Sequence, residues 1–371
     1  MTDRLVALYR EQGQSPWLDN LKRSYLTGGE IARQIERGIR GLTSNPTIFQ
    51  KAIQGSSDYD EQFRGLVAAG GDVIDHYWQL VLTDIGAALD EFAALHRASG
   101  GADGFVSVEV DPGLATDGPG TEAAARHLSE TVARPNLMVK IPATVESLPA
   151  IEQMIAEGRN VNVTLIFSLD RYQRVMDAYV AGLERLAAQP DADLSTVASV
   201  ASFFISRVDT EVDRRLEAIG TPDALALRGT AAVAQARLAY QAFVRTFSGP
   251  RWNALAARGA RVQRPLWAST STKNPSYPDT LYVDELIGPD TVNTLPDATI
   301  DAFADHGTPA RTIDAPTAVT ASTRTWALLA HVGVDMDDVA AVLEREGVTS
   351  FQASFDDLLG ALADKAASFR T

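Results

Sequence analysis

Eight short apolar segments alternate with helical patterns along the chain, and this alternation limits the possible folds more than any other feature of the sequence. Strand–helix alternation predicts a parallel sheet with helices packed outside it. Eight such units predict a closed (β/α)8 barrel, the TIM-barrel architecture of the α/β class. The predicted strands cover residues 15–19, 38–45, 104–110, 136–141, 160–167, 196–206, 265–270 and 291–295.

A doubly wound open sheet is the main alternative, but the first strand–helix turn lacks the G-x-G-x-x-G fingerprint of dinucleotide-binding folds. We expect residues 1–371 to form one barrel domain with additional N- and C-terminal helices. Residues 317–371 are expected to pack on the barrel, where they could close its mouth. Helices are predicted after Gly28-Gly29 and over residues 2–12, 46–69, 72–98, 118–133, 146–157, 170–188, 207–219, 222–247, 297–305, 317–331, 336–345 and 352–368.

Composition and charge restrict the function classes. The chain of 371 residues is 45% hydrophobic and 22% charged, which is typical of a globular protein. A net charge of −15 disfavours a nucleic-acid-binding protein, because phosphate backbones require a basic surface. Cysteine is absent, which excludes disulfides and thiolate chemistry. No signal peptide or membrane-spanning segment is evident, and we expect a cytoplasmic protein.

One lysine lies in a strand that is predicted to be buried. Leu137, Met138, Val139 and Ile141 form an apolar run around Lys140, which is one of only five lysines in the chain. A lysine is rarely buried without a partner or a function. Burial disfavours an ammonium ion, and a neutral amine can form a Schiff base with a carbonyl substrate. The alternative is a strand-end lysine whose charged head reaches solvent.

Polar or ionisable residues follow one predicted strand after another, at the positions where barrel enzymes hold their catalytic groups. An amine and a ketone form a carbinolamine that must lose water, and Glu109 is our candidate for that proton relay. Asp19 is the candidate base for a C4 hydroxyl when the C3–C4 bond of a 3-hydroxyketone is cleaved. The remaining candidate site residues are Thr43, Ser44, Asn45, Asn162, Thr164, Ser206, Arg207, Ser269 and Lys273.

Different roles are expected within this set. Asn45 and Asn162 could hydrogen-bond the hydroxyls of the fragment that the enzyme retains, although Asn45 could instead cap a helix. Arg207, Ser269 and Lys273 lie at or just after the late strands, where barrels often bind phosphate.

We expect neither a metal nor another cofactor. The sequence has no H-E-x-x-H motif or other clustered set of metal ligands. The histidines fall in predicted helices or loops away from the strand ends, and we expect them to be packing or surface residues. They are His76, His96, His127, His306 and His331.

Two segments carry a family resemblance. Residues 41–49, GLTSNPTIF, closely resemble the Thr-[Ser/Thr]-Asn-Pro signature of the transaldolase family. Residues 137–144, LMVKIPAT, resemble its Schiff-base lysine signature, and residues 107–111 and 161–168 match further strands in order. The resemblance covers about residues 15–290 and is strongest to the longer bacterial branch, within the Schiff-base class I aldolase superfamily.

The resemblance implies a metal-independent enzyme that transfers a dihydroxyacetone unit in the non-oxidative pentose phosphate pathway. The donor would be sedoheptulose 7-phosphate or fructose 6-phosphate, and the acceptor glyceraldehyde 3-phosphate or erythrose 4-phosphate. Lys140 would form the Schiff base, and Asp19 and Glu109 would transfer protons. We expect sugar phosphates as partners, no nucleic acid or membrane, and a monomer or homodimer. The residues implied to contact the substrate are Asn45, Asn162, Thr164 and Ser206, with Ser269 beside the phosphate.

Two positions depart from the pattern of the short family members. Those members carry Ser-Pro-Phe-x-Gly-Arg after the sixth strand, whereas here Ser206 directly precedes Arg207, so equating the arginines requires a gap of four. They also carry an arginine two residues beyond the serine after the seventh strand, where this chain has Ser271. We expect Lys273 to substitute as a point charge rather than a bidentate fork.

Three other functions remain open from the sequence. An enzyme like fructose-6-phosphate aldolase would release free dihydroxyacetone, and a non-catalytic barrel would only bind sugar phosphates. A glycoside hydrolase could use Asp19 and Glu109 as its carboxylate pair, but Lys140 would then have no role.

Overall fold

Eight parallel strands close into a barrel in chain order, so the predicted (β/α)8 architecture is confirmed. The structure is a computed structural model that describes residues 3–369. The strands are β1 (Gln14–Leu18), β2 (Gly41–Thr43), β3 (Phe105–Glu109), β4 (Leu137–Pro142), β5 (Val161–Ile166), β6 (Ser199–Phe204), β7 (Arg264–Ala268) and β8 (Thr291–Leu295). Each strand pairs with the next, and β8 pairs with β1.

Helices fill the connections and extend the chain at both ends. They are α1 (Arg4–Arg10), α2 (Arg23–Thr27), α3 (Glu30–Arg37), α4 (Pro46–Gln54), α5 (Asp60–Ala69), α6 (Val73–Ala98), α7 (Gly118–Val132), α8 (Leu148–Ala156), α9 (Leu169–Ala187), α10 (Ser206–Ile219), α11 (Pro222–Leu225), α12 (Ala231–Thr246), α13 (Pro250–Ala256), α14 (Leu281–Asp284), α15 (Asp297–His306), α16 (Pro316–His331) and α17 (Met336–Phe369).

Some predicted boundaries were wrong. The helix predicted over 46–69 is divided into α4 and α5, because the Gly-Ser-Ser sequence at 55–57 disfavours helix. The helix predicted over 222–247 is likewise divided, and Gly229 between the two parts has a φ of +71°. The strand predicted from 196 begins at Ser199, because a 3₁₀ turn ends at Thr196. The short helices α2, α13 and α14 were not predicted.

The largest difference is at the C-terminus, where the two helices predicted over 336–345 and 352–368 form the single helix α17. The glycine and β-branched residues at 347–349 have a low helix propensity. In the structure Gly347 packs so closely against β5 that a Cβ there would lie 3.0 Å from Leu165 Cδ2. This tertiary packing outweighs the local preference, and the helix continues. Thr2 and residues 370–371, which the predicted terminal segments include, lie outside the described residues.

Large side chains fill the barrel and the layer between the barrel and its helices. Trp17 lies inside the barrel, where a Cβ at Gly41 would approach its indole ring to 2.5 Å, so only glycine fits there. Outside the strands, Phe203 contacts Trp267 and Tyr172 with ring centroids 6.3 and 5.7 Å apart. Fully burying one large apolar side chain stabilises the fold by roughly 2 kcal/mol.

The N-terminal end of the barrel is held by a buried carboxylate. Asp103, which precedes β3, is fully buried and accepts from Arg40 Nε at 2.7 Å and Arg264 Nη2 at 3.2 Å. Ser15 of β1 also donates to Asp103, at 3.0 Å. The cluster therefore ties together the beginnings of four strands, β1, β2, β3 and β7.

The C-terminal end of the barrel is covered by α17, which packs on α4, α5, α6 and α10. Ser354 Oγ lies 2.8 Å from Thr47 Oγ1, and Phe355 packs on Tyr77 with ring centroids 5.0 Å apart. Among residues 3–369, none of the helices has a sufficiently long apolar stretch to span a bilayer.

Candidate active site

The ends of three neighbouring strands bring together three of the predicted residues. Lys140 on β4 pairs in register with Glu109 on β3 and with Asn162 on β5. The lysine is only 5% exposed, and its Nζ lies 3.3 Å from Glu109 Oε2. Nζ also donates to the backbone oxygen of Ser44 at 3.3 Å. The lysine therefore points into the barrel end and not into bulk solvent.

Glu109 is a buried carboxylate whose negative charge is only partly balanced by the charge of Lys140. Burial raises its pKa, and the opposite charge of Lys140 counteracts part of that rise. A charge-assisted hydrogen bond is normally about 2.7–2.9 Å long, so the 3.3 Å contact leaves Oε2 only partly stabilised. A carboxyl group whose pKa is raised in this way is suited to take up and return a proton.

Asp19, directly after β1, is the second carboxylate at this end. Burial raises its pKa, while Lys140 and a hydrogen bond from Thr43 lower it. Thr43 Oγ1 donates to Asp19 Oδ1 at 2.9 Å, and Thr294 Oγ1 lies 2.9 Å from Thr43 Oγ1. A hydroxyl has one proton to donate, so Thr43 uses its proton to hold Asp19 in place.

The residues that follow β2 have structural partners of their own. Ser44 Oγ donates to the backbone oxygen of Ser107 at 2.7 Å. Asn45 caps α4, because its Oδ1 accepts from the backbone N–H of Ile48 at 2.9 Å. The amide nitrogen of Asn45 has no hydrogen-bond partner within residues 3–369. Its two protons therefore remain for a bound molecule.

Asn162 and Thr164 project from the same face of β5. Asn162 donates to Ser107 Oγ at 3.0 Å and accepts from Ser202 Oγ at 2.7 Å. Thr164 Oγ1 is buried and has no hydrogen-bond partner in the described part of the chain. Leu165, the next residue, has a φ of +60°, and the pairing of β5 with β6 shifts there. Such a backbone conformation costs about 1–3 kcal/mol and often occurs beside functional groups.

The later strands contribute two serines and an arginine. Ser206 Oγ lies 3.0 Å from Ser269 Oγ, and Ser269 has a φ of +57°. The Arg207 guanidinium lies over the rings of Phe204 and Phe351, at 5.1 and 5.8 Å from their centroids. Burial lowers the pKa of Arg207, and the group makes no hydrogen bond to another described residue. Its donors are therefore held in position and unused.

Lys273 lies on the exposed loop after β7, at the rim of the same end. Its Nζ donates to Ser271 Oγ at 2.6 Å. Partial desolvation and the charge of Arg207 lower its pKa, while the charge of Asp19 raises it. The charges of Lys273 and Arg207 are therefore close enough to influence each other.

Two tyrosines attach the Lys273 loop to α10. Tyr282 donates to Asp209 at 2.7 Å and Tyr277 donates to Asp213 at 2.6 Å. A Cβ at Gly229 would lie 2.7 Å from the Tyr277 ring, so this approach requires glycine. The sequence analysis missed these contacts, because they join segments more than 60 residues apart.

No group of three or more His, Asp or Glu residues that could hold a metal occurs among residues 3–369. His76 packs on Phe63, with ring centroids 5.9 Å apart, and His96 Nδ1 bonds to the backbone oxygen of Asp103. His306 pairs with Asp279 on the surface. These contacts agree with the packing and surface roles predicted for the histidines.

Comparison with known proteins gives the family. The model of the transaldolase/fructose-6-phosphate aldolase family matches residues 16–362. The chain belongs to this family. The match extends well beyond residue 290, where the resemblance seen in the sequence motifs ended, and it includes most of α17.

Three relatives share this similarity along almost their whole length, and each is named transaldolase. The protein of Acidothermus cellulolyticus is 53% identical over 363 residues, which cover 98% of this chain and 96% of that protein. The protein of Thermobifida fusca is 52% identical over 365 residues, covering 96% and 97%. The protein of Frankia alni is 52% identical over 354 residues, covering 95% of each.

The family pattern also points to a residue that the sequence analysis missed. Residues 202–207, Ser-Phe-Phe-Ile-Ser-Arg, have the spacing of the Ser-Pro-Phe-x-Gly-Arg pattern, so Arg207 can be equated without a gap. Ser202 then takes the place of the pattern's serine, and its hydroxyl holds Asn162. The spacing to Arg207 was the available signal, but Ser202 lies within β6 and not at its end.

Proposed function

We propose that this chain is a transaldolase that transfers a dihydroxyacetone unit from sedoheptulose 7-phosphate or fructose 6-phosphate to glyceraldehyde 3-phosphate or erythrose 4-phosphate. The transfer passes through a Schiff base on Lys140 and belongs to the non-oxidative pentose phosphate pathway. The observation that carries the residue assignment is the buried amine 3.3 Å from a buried carboxylate at the C-terminal end of the barrel. The names of relatives that are about half identical over nearly the whole chain support the reaction.

Glu109 handles the protons of Schiff-base formation. It accepts a proton from the Lys140 ammonium, which its raised pKa favours, and the neutral amine adds to the C2 carbonyl of the ketose. The carbinolamine then loses its hydroxyl as water when Glu109 returns the proton. Thr164, whose buried hydroxyl has no partner among the described residues, is placed to bind that water.

Asp19 handles the cleavage and its reversal. It takes the proton of the C4 hydroxyl, the C3–C4 bond breaks, and the electron pair moves onto the iminium to give an enamine. The aldose phosphate leaves, and the enamine carbon adds to the aldehyde of the acceptor while Asp19 returns its proton. Water then hydrolyses the new Schiff base and frees Lys140. Thr43 keeps Asp19 oriented through both steps.

The remaining residues position the substrate. Asn45 and Asn162 hydrogen-bond the retained fragment, and Ser44 and Ser206 complete the walls around it. Arg207 and Lys273 bind the phosphate together with Ser269. Arg207 offers a planar fork, while Lys273 offers a point charge. The aspartate–tyrosine contacts of α10 keep the loop that carries Lys273 at the correct distance.

The proposal includes the organisation of the protein. The contacts of α17 with four other helices support one domain over residues 1–371, with residues 317–371 packed on the barrel. Every proposed site residue comes from one chain, which is compatible with a monomer or a homodimer, and light scattering after size exclusion would distinguish them. Neither a cofactor nor a membrane or nucleic-acid partner is needed, and we propose a cytoplasmic location.

The test is product formation from purified chain, fructose 6-phosphate and erythrose 4-phosphate. We expect sedoheptulose 7-phosphate and glyceraldehyde 3-phosphate in equal amounts. Without an acceptor aldehyde, we expect almost no free dihydroxyacetone, because the covered site shields the enamine from water. Release of dihydroxyacetone at the same rate with and without acceptor would contradict the transferase proposal.

A further inference from the structure

A cavity lies at the opposite end of the barrel from Lys140. Its volume is about 700 Å³, within the range of pockets that hold small metabolites. It is bounded by the end of α1 and by the beginnings of several strands, and Met138 forms part of its floor. Trp17 and Phe105 fill the barrel interior, with ring centroids 6.3 Å apart, so the cavity is separate from the catalytic end.

The cavity carries an excess of positive charge. Three arginines line it, Arg10, Arg261 and Arg264, against the carboxylates of Asp103 and Asp290. Asp103 is already neutralised, because Arg264 and a further arginine, at position 40, both pair with it. This local excess occurs in a chain whose net charge is −15, so it does not follow from the general composition. A concave basic surface of this kind attracts small anions.

Two of the three guanidinium groups are held in place before any ligand binds, those of Arg261 and Arg264. Arg261 Nη2 donates to the backbone oxygen of Gly100 at 2.6 Å, and Arg264 donates to Ser15 Oγ at 2.9 Å. Arg10 has no hydrogen bond or ion pair within the described residues. Asp193 does not line the cavity, and its pKa is lowered mainly by hydrogen bonds from Ser195, with a smaller effect of the Arg261 charge. The side-chain donors of Arg10 are therefore free to bind a ligand in the cavity.

We infer that this cavity is an anion site for a phosphate group, either inorganic phosphate or the monoester of a small metabolite. Guanidinium groups bind phosphate oxygens through paired charge-assisted hydrogen bonds. The site is distinct from the catalytic one and does not depend on Schiff-base chemistry. Arg10 binds the phosphate directly, and the anchored Arg261 and Arg264 supply the surrounding charge.

The test is chemical footprinting of arginine with phenylglyoxal on the full chain, read by peptide mass spectrometry. Arg324 on α16 is the internal control, because it is exposed and makes no hydrogen bond or ion pair with another described residue. Phosphate should slow the modification of Arg10 about fivefold and leave Arg324 unchanged. If phosphate left the modification rate of Arg10 unchanged, as it should leave that of Arg324, the inference would be overturned.

Two further arms sharpen the test. Glycerol 3-phosphate has no carbonyl and cannot form a Schiff base. If it protects Arg10 at lower concentration than inorganic phosphate, the ligand is an ester, and the reverse order identifies free phosphate.

Ala102→Glu places a negative charge at an exposed lining position and should abolish the protection without changing turnover. Protection that persists in this variant would also overturn the inference.

Discussion

At the N-terminal end of the barrel, Asp103 is fully buried, and its oxygens meet Arg40 at 2.7 Å and Arg264 at 3.2 Å. At the C-terminal end, Glu109 is nearly as buried, but its partner Lys140 lies at 3.3 Å, and burial raises the pKa of the carboxyl group. A fully paired buried carboxylate serves stability, because removing one partner leaves uncompensated charges. A partly compensated carboxylate remains available for proton transfer. Buried carboxylates with basic partners therefore hold one end of the barrel together and make the other end reactive.

The largest effect is expected at the reactive end from Lys140→Met, which removes the amine and keeps a side chain of similar length. Turnover in the sugar-phosphate assay should fall by roughly 10⁴-fold or more, because the amine that forms the Schiff base is removed. Lys365→Met is the matched control, since Lys365 pairs with Asp60 on the surface of the helices. Its turnover should be unchanged. If Lys140→Met kept more than a few per cent of the activity, Lys140 would not be the reactive group at the C-terminal end of the barrel.

Asp19→Asn should lower kcat by on the order of 10³-fold, because an amide cannot take the C4 proton. Steady-state kinetics and trapping of the Schiff base should separate the two steps. The covalent adduct with fructose 6-phosphate should still form, since Glu109 serves that step. Loss of both adduct formation and turnover would contradict the division of roles between the two carboxylates.

Asp19→Asn also tests how much the buried Asp19 carboxylate lowers the free energy of unfolding. The pKa of Asp19 is raised in the folded chain, whereas an unfolded Asp has a pKa of about 3.9. The contribution of Asp19 to the free energy of unfolding is therefore present below about pH 4 and is lost as pH rises through the raised folded-state value. Urea unfolding should show Asp19→Asn gaining stability over the natural chain between pH 4 and pH 8. If the stability gain of Asp19→Asn over the natural chain became smaller as pH rises, the pKa of Asp19 would be lowered and not raised in the folded chain.

Asp103→Asn tests the other end and should leave kcat almost unchanged. It leaves Arg40 and Arg264 without a counter-charge, so the free energy of unfolding should fall by on the order of 3 kcal/mol. The control is Asp90→Asn, which removes an exposed partner of Arg134 and should cost less than about 1 kcal/mol. Urea unfolding at pH 7 measures both. Equal costs for the two variants would show that the N-terminal cluster has no special role.

A smaller effect is expected from Thr43→Val, which removes the hydrogen bond to Asp19. A positioning bond of this kind contributes about 1 kcal/mol, so kcat should fall roughly fivefold to tenfold with little change in KM. Thr43→Ser keeps the hydroxyl and should restore most of the rate. If both variants raised KM instead, Thr43 would contact the substrate and not only position Asp19.

The smallest effect is expected from Tyr277→Phe, which releases one of the two contacts between α10 and the Lys273 loop. KM for phosphorylated substrates should rise about threefold while kcat stays the same, because one hydrogen bond to a charged group is lost at a distance from the chemistry. Tyr179→Phe removes a hydroxyl contact at the other end of the barrel, to the backbone oxygen of Arg261, and is the control. A change in kcat without a change in KM would refute this positioning role.

Most of the fold could be predicted because its signals are local. The strand predicted over residues 291–295 has the bounds Thr291–Leu295, and all eight strands follow the apolar runs. The continuity of α17 could not be predicted, since Gly347 locally favours a break, whereas in the structure it lies in close contact with Leu165. Helix continuity there depends on a partner about 180 residues away in the sequence.

For the site, the topology predicted more than the sequence of any single strand. Residues at the ends of neighbouring parallel strands must converge, and Glu109, Lys140 and Asn162 do so in register. Hydrogen bonds between side chains have no sequence signal, so neither the bond from Thr43 to Asp19 nor the Ser202 contact was foreseen. The roles of these residues in the reaction remain predictions.

The most direct test is to reduce the chain with borohydride in the presence of fructose 6-phosphate and to map the modified peptide by mass spectrometry. We predict one added dihydroxyacetone-derived group, located on Lys140, in the natural chain and in Lys273→Met. Lys140→Met should remain unlabelled. A label on another lysine, or equal labelling of Lys140→Met, would contradict the assignment of Lys140 as the amine that captures the ketose.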